Sequence, residues 1–254
     1  MELMAWNHLL EPETSSSKTP VFAGEKHLAL DEAFLEAAEA GLIGESLRLW
    51  ESSCPFVVLG AGGRIAEEAD LAWCENHNIP LLRRCSGGGT VLQGPCCLNY
   101  ALVLSLEYRP SCASIDGTTQ LVLGRITQML ARQNVLAEWR GTSDLAVADF
   151  KISGNAQRRK KRHVLFHGTL LLSGFDFETM ARGLKHPPRQ PGWRNQRHHN
   201  EFVRPIMLDR KQLWTDALEI WHGQPKQEIP LEIRNLAQAL IAEKYGRREW
   251  NRSM

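Results

Sequence analysis

Arg83-Arg84-Cys85-Ser86-Gly87-Gly88-Gly89-Thr90-Val91-Leu92-Gln93-Gly94-Pro95 sets three consecutive glycines between two strand-like stretches, 81–84 and 98–106. Glycine lets a backbone take positive φ and pass close to a ligand, and successive N–H groups in such a loop cradle a phosphate or a carboxylate. Arg84 stands where its charge meets such an anion. A flexible hairpin uses the same residue types, so on this stretch alone anion binding and a plain turn both stay open.

A second stretch, Ser143-Asp144-Leu145-Ala146-Val147-Ala148-Asp149-Phe150-Lys151-Ile152-Ser153-Gly154-Asn155-Ala156-Gln157, alternates apolar positions on either side of a turn at Ala148-Asp149. That is the pattern of a β-hairpin, and it delivers Lys151 at the start of the second strand. An ammonium is a compact cation that grips an acyl carbonyl or a phosphate and stabilises charge building in a transition state. Read alone, the segment is equally a solvent-exposed hairpin lysine.

Outward from these two segments, helical periodicity covers 27–40, 66–77, 118–133, 208–221 and 231–244, and strand-like runs cover 46–50, 55–60 and 163–172. Helices and strands mix without a regular βαβ repeat, which predicts an α+β fold in a single domain. Residues 1–20 are expected to form a flexible N-terminal arm, polar and rich in Pro and Ser over 11–20. Residues 185–200, with three prolines and many hydrogen-bond donors, read as a surface loop of the kind that either binds or merely links.

The 254 residues are 43% hydrophobic and 23% charged, enough for one large core, and the formal charge of +1 is not that of a nucleic-acid binder. Arg158-Arg159-Lys160-Lys161-Arg162-His163 is locally basic but has no interleaved aromatics, so it reads as a solvated turn or as a face for an acidic carrier before it reads as a nucleic-acid site. No charged-then-apolar leader and no apolar run of about 18 residues is present, so the chain is read as cytoplasmic with no membrane partner. Cys54, Cys74, Cys85, Cys96, Cys97 and Cys112 lack paired zinc spacing and read as free thiols.

Taken together, Arg-Arg-x-Ser-Gly-Gly-Gly-Thr-Val at 83–91, Lys-Ile-Ser-Gly-Asn-Ala-Gln at 151–157 and Phe-His-Gly-Thr-Leu-Leu at 166–171 resemble the lipoate–protein ligase, octanoyltransferase and biotin-ligase superfamily. The resemblance runs from the His27-Leu28-Ala29-Leu30-Asp31-Glu32-Ala33 helix to Trp250-Asn251. It implies a biotin/lipoate-ligase-like catalytic domain over 21–254, with mixed sheets flanked by helices. It implies Lys151 as the catalytic residue that polarises the acyl carbonyl. Arg84, Ser86, Gly87, Gly88, Gly89, Thr90, Ser153, Gly154, Asn155, His167, Gly168 and Thr169 are then expected to line the acyl and nucleotide pocket, and Asp144 to meet a nucleotide's magnesium.

The expected chemistry is ligase-like transfer of a lipoyl or octanoyl group to a lysine of a lipoyl carrier domain, such as those of 2-oxoacid dehydrogenase E2 subunits or the glycine cleavage H protein. ATP and Mg²⁺ would activate lipoate or octanoate as an acyl-adenylate. A donor in the form of octanoyl-acyl carrier protein, or lipoyl binding without catalysis, are the alternatives. The usual Gly-Arg-Gly-Arg loop of biotin ligases is absent, and Leu92-Gln93-Gly94-Pro95 stands where many ligases have a His-Asp pair. Full-length bacterial ligases carry a small accessory domain after the catalytic one, so a separate accessory subunit is an optional partner. A thioester route would need Cys85, Cys96 or Cys97, the cysteines nearest the glycine loop.

Overall fold

A computed structural model of the protein describes residues 2–8 and 23–253. The strands are β1 (Leu3–His8), β2 (Ser46–Trp50), β3 (Phe56–Leu59), β4 (Leu81–Arg83), β5 (Val91–Gln93), β6 (Cys97–Ser105), β7 (Glu138–Arg140), β8 (Asp144–Val147), β9 (Phe150–Arg159), β10 (His163–Leu171) and β11 (Gly223–Lys226). The helices are α1 (Ala23–Glu39), α2 (Ile65–Glu68), α3 (Leu71–Asn76), α4 (Ile115–Ala131), α5 (Phe177–Gly183), α6 (His199–Phe202), α7 (Arg210–Trp221), α8 (Leu231–Leu240) and α9 (Arg248–Asn251). Eight strands form one sheet in the order β11-β1-β2-β6-β10-β9-β8-β7, and β4-β3-β5 form a second. Parallel and antiparallel pairs occur in both sheets, as the α+β expectation requires.

Alternation along the central strands divides two cores. On β6, Leu98, Tyr100, Leu102 and Leu104 face one cluster that includes Val122 and Ile126 of α4 and Leu213 and Trp221 of α7. Ala101 and Val103 face the other, with Leu28, Phe34 and Leu35 of α1 and Ile233 of α8. Successive side chains of a strand point to opposite faces, so the sheet is covered on both sides. α1 is accordingly apolar over most of its circumference.

Two expectations are corrected. Residues 1–20 are not an arm throughout, because Leu3–His8 pair in parallel with β2 and β11 and bury Leu3, Ala5 and Trp6. The strand is short and is followed by polar residues, which hid it; residues 9–20 of the expected arm lie outside the described residues. The helix expected over 66–77 is two short helices. Asp70 breaks it by accepting a hydrogen bond from Trp73 N, an N-cap that starts a new helix, while Ala69 bridges to Leu184.

The basic run is partly tied down from within. Lys160 pairs with Glu36 at 2.6 Å, the Arg162 backbone N–H and the His163 ring meet the Glu39 carboxylate, the Arg162 guanidinium donates to the Glu39 carbonyl, and Arg159 donates to the carbonyls of Cys112 and Ala113; Arg158, Lys161 and Arg162 are exposed. Among the described residues no helix is long and apolar enough to cross a membrane.

One buried cation joins the chain's end to the glycine segment. Arg83 is 0% exposed, and its guanidinium donates to the carbonyls of Gly60 (2.8 Å), Gly63 (2.8 Å), Trp250 (3.1 Å) and Ser253 (2.6 Å). Its backbone N–H donates to Asn251 Oδ1, and Trp250 Nε1 donates to its carbonyl. Lys244 and Tyr245 both reach Glu32 of α1. Removing a charged donor leaves buried carbonyls unsatisfied, so Arg83→Met is expected to lower the unfolding free energy by roughly 3 kcal/mol, read as a reduced urea midpoint at unchanged slope.

Candidate active site

Three adjacent strands and the glycine loop enclose a cavity of about 510 Å³. Its walls are largely apolar, with Leu28, Trp50, Val58, Val91, Leu171 and Phe175 among them, and its polar groups gather where β8 and β9 meet. A largely apolar pocket with a few convergent polar groups is the usual form of a small-molecule site.

Lys151 Nζ lies 2.7 Å from Asp144 Oδ1, the two side chains being 25% and 12% exposed. Local strand geometry produces this pair. Asp144 is the cross-strand partner of Gly154, and the β8–β9 register shifts between Leu145 and Ala146, leaving Ile152 as an extra residue on β9. Such a bulge re-aims the side chains around it. Lys151 then folds back over Gly154 to reach Asp144. A Cβ at position 154 would sit 2.9 Å from Lys151 Nζ and 3.0 Å from Cε, so glycine there leaves the space that the ammonium occupies.

The next row across the sheet joins Asn155, Gly168 and Tyr100. The Tyr100 hydroxyl donates to Asn155 Oδ1 across Gly168, where a Cβ would lie 1.8 Å from that oxygen. Asn155 Nδ2 donates to Ser143 O (2.7 Å) and Ser153 Oγ (3.3 Å). The carboxamide is therefore fully engaged within the protein and holds β9 to the residues before β8. In the row beside it, Thr169 Oγ1 donates to Asn99 Oδ1 and accepts from Gln93 Nε2.

Behind the glycine loop runs a buried chain of polar groups. Ser86 Oγ is 2.6 Å from His167 Nε2, and His167 Nδ1 is 3.3 Å from Asp31 Oδ2. Arg48 Nη2 donates to the other oxygen of Asp31 and, at 2.8 Å, to the carbonyl of His27. Burial alone raises the Asp31 pKa, but Arg48 and the His167 hydrogen bond outweigh it and hold the carboxyl below the ordinary range. His27 is driven well below its ordinary value by burial and by Arg48, so it stays neutral. Ser86 is 1% exposed and does not line the cavity, so this chain orients the His167 ring and presents no nucleophile.

The expected site residues thus separate by what they touch. Lys151, Asp144, Ser153, Gly154, Asn155, His167, Gly168, Thr169, Gly88, Gly89 and Thr90 all border the cavity. Ser86, which is buried, and Gly87, which is exposed, do not border it. Arg84 borders it, yet its donors turn inward to Gly87 O (2.6 Å), Gly89 O (2.8 Å) and Val58 O (3.3 Å), so its charge clamps the loop. Burial lowers its pKa to about 10. The loop itself needs its glycines at two points: Gly88 has φ +90°, and a Cβ on Gly60 would lie 2.0 Å from the Gly88 carbonyl.

Among the described residues no three His, Cys, Asp or Glu side chains cluster to hold a metal. Asp144 offers one carboxylate oxygen beyond the one held by Lys151. One carboxylate suits a Mg²⁺ that arrives on nucleotide phosphates, since Mg²⁺ is commonly bound through one or two carboxylates plus substrate oxygens. None of the six cysteines lines the cavity. Cys85 is buried against α1, and its thiol is pushed up to about 12 by burial and by Glu32, while Cys97 is also raised by burial. A protonated, enclosed thiol is inert as a nucleophile.

Sequence reasoning passed over Asp31, Arg48 and Arg194. Asp31 had a signal: a carboxylate amid Leu28, Leu30, Ala33 and Phe34 breaks an apolar helix and calls for a partner. Arg48 sits likewise in the middle of a buried strand, Ser46–Trp50.

The family model for the lipoyl protein ligase A/B catalytic domain matches residues 23–204. Lipoate–protein ligase 1 of Staphylococcus aureus is 31% identical over 227 residues, 88% of this chain and 60% of that protein. Octanoyltransferase LipM of Carboxydothermus hydrogenoformans is 26% identical over 261 residues, 90% of this chain and 94% of that one. The chain therefore spans less than two thirds of the S. aureus ligase and nearly all of the LipM protein. Lipoate-protein ligase A bound with ATP superposes with a TM-score of 0.76 at 23% identity, over 99% of each chain. The bipartite lipoate protein ligase of Thermoplasma acidophilum, studied with its E2 lipoyl domain, gives 0.74 at 23% identity over 99% of this chain and 96% of that one. At these identities the two structures speak to the fold, and both have the one described above. With the glycine loop, the lysine strand and the His-Gly-Thr strand all meeting at one cavity within the matched region, the chain belongs to the lipoyl protein ligase A/B catalytic domain family.

Proposed function

We propose that the protein transfers a lipoyl or octanoyl group to a lysine of a lipoyl carrier domain, through an acyl-adenylate made from the free acid and ATP. The observation that carries the reading is a largely apolar cavity that Lys151 borders, with no thiol along its walls. An eight-carbon acyl chain suits the apolar part. Its carboxylate then attacks the α-phosphorus of ATP, pyrophosphate leaves, and a mixed anhydride forms. The carrier's ε-amine attacks the acyl carbon, AMP departs with the C–O bond electrons, and an amide remains with release of one proton.

In the first step negative charge passes from the carboxylate to the oxygens of the α-phosphoryl group and the departing pyrophosphate; in the second it builds on the acyl oxygen. Lys151 meets the charge on the acyl oxygen, and a cation fixed in place beforehand stabilises such a transition state. Asp144 keeps the ammonium in place beforehand and supplies the one carboxylate that would meet Mg²⁺ brought in by the nucleotide. His167, its ring engaged at both nitrogens, and Thr169 shape the wall against which the acyl group lies.

A second donor, octanoyl-acyl carrier protein, is favoured by the match over 94% of a LipM octanoyltransferase. Gln93 and Gly94, in place of the His-Asp pair of many ligases, point the same way. A route through an enzyme thioester is disfavoured by the enclosed Cys85 and Cys97.

Incubation with an apo lipoyl carrier domain, read by intact mass, separates the donors. Octanoate or lipoate with ATP and Mg²⁺ is expected to add one acyl group per carrier, lost in Lys151→Ala and kept in Cys85→Ala. Product from octanoyl-acyl carrier protein alone would replace adenylation with direct transfer, and the bipartite Thermoplasma system makes a second chain the next addition if neither donor works. In the same assay Gly154→Ala is expected to cost about 10²-fold in rate, because its Cβ pushes the ammonium aside by a fraction of an ångström. Its melting temperature should stay near that of the parent, since only the end of a flexible side chain must move.

A further inference from the structure

The segment that follows α5 lines one side of the cavity and carries an arginine with almost nothing to hold. Arg194 is 5% exposed and borders the cavity together with Lys151 and Asp144. Its Nε donates to Arg197 O at 3.0 Å, and its guanidinium lies 4.8 Å from the Phe202 ring. Nη2 is buried without a hydrogen-bond partner, and among the described residues no carboxylate forms an ion pair with this side chain; Asp144, the opposing charge it feels, is already held by Lys151. Its neighbour is built differently. Arg197 uses all three nitrogens, donating to Arg194 O, Asp149 O and Trp193 O, and so fastens the segment to the β8–β9 turn.

An arginine buried without an anion is costly, since charges inside proteins are normally paired and hydrogen-bonded. The segment nevertheless holds this one by an aromatic stack and a backbone carbonyl, leaving its outer donors for something else. Of the other cations at the cavity, Arg189 borders it from an exposed position, where water already serves its donors, and the rest are engaged or neutral. Lys151 faces Asp144, and Arg84 is turned into the glycine loop. His199 is kept neutral by burial and by the nearby cations, Arg194 first among them, even though it bonds the Lys185 carbonyl.

We propose that Arg194 receives a phosphoryl group of the activated acyl donor. The planar fork of a guanidinium matches two oxygens of a phosphate, which keeps its charge through the reaction. A carboxylate loses its charge on activation, so a grip on that group would favour the unreacted acid over the activated one. The identity of the donor rests on the acyl-transfer reading; the anion site does not. Two sources share this chemistry: the phosphate of an adenylate and the phosphodiester that tethers pantetheine to an acyl carrier.

Calorimetric titration tests the assignment without turnover, using AMP against adenosine and 4′-phosphopantetheine against pantetheine. In the parent protein the phosphorylated member of one pair is expected to bind at least about tenfold more tightly, the range of a hydrogen bond to a charged group. Arg194→Met should bring that ratio to within about twofold of unity and leave the unphosphorylated member's affinity unchanged. Arg194→Lys should keep part of the preference, and Arg194→Met should melt no lower than the parent because an unpaired buried charge has been removed. The pair that responds names the donor. A phosphate preference that survives in Arg194→Met, its absence from both pairs in the parent, or a sharp fall in melting temperature in both variants would overturn the proposal. A preference lost in Arg194→Met in a protein that transfers no acyl group would leave Arg194 as an anion receptor and remove the acyl-transfer reading instead.

Discussion

The ion pair of Lys151 with Asp144 is the constraint to which the rest of the site is fitted. An ammonium in the wall of a largely apolar cavity is stabilised by a partner of opposite charge. Placing that partner requires Asp144 to stand opposite Gly154, a bulge at Ile152 to aim the lysine, and no side chain at position 154 to block its path. The hairpin that carries both residues is then fixed on its other side. Asn155 ties β9 to Ser143 and to Tyr100 of β6, and that contact passes through the space left by Gly168.

A second layer holds the glycine loop at the height of this pair. Arg84 grips the loop's own carbonyls from beneath, and Arg83 fastens the strand before it to the last turn of the chain. Two consecutive arginines therefore serve the backbone. The buried polar chain from Ser86 through His167 to Asp31 and Arg48 supports the cavity wall from the side of α1. Residues beyond the matched region, from Lys244 to Ser253, close this layer, so the matched part of the chain and its tail stand or fall together.

What the sequence makes legible here is what depends on local rules. Glycines between strands, a lysine after a turn and the alternation of β10 follow from conformational preference and periodicity, and the structure brings them to one place. The arginines of the loop were legible as charge but not as direction. Only the three-dimensional position of the carbonyls of Gly60, Gly63, Gly87 and Gly89 decides that Arg83 and Arg84 point inward. Asp31 and Arg48 were hidden for a related reason: they are a helix residue and a strand residue, 17 apart, whose pairing is a tertiary fact. Leu3–His8 was too short for periodicity to rise above the polar run behind it. The basic run at 158–163 looked like a docking face because its partners, Glu36 and Glu39, are over 120 residues earlier in the chain.

The central claim is that an acyl carbonyl meets Lys151 in the wall of the apolar cavity. A crystal structure of the protein with a non-hydrolysable octanoyl-adenylate analogue tests it most directly. The account predicts the hydrocarbon chain among Leu28, Trp50 and Val91, with the carbonyl or bridging oxygen within hydrogen-bond reach of Lys151 Nζ. An acyl group bound elsewhere, or one that lies in the cavity with its carbonyl turned away from Lys151, would contradict it.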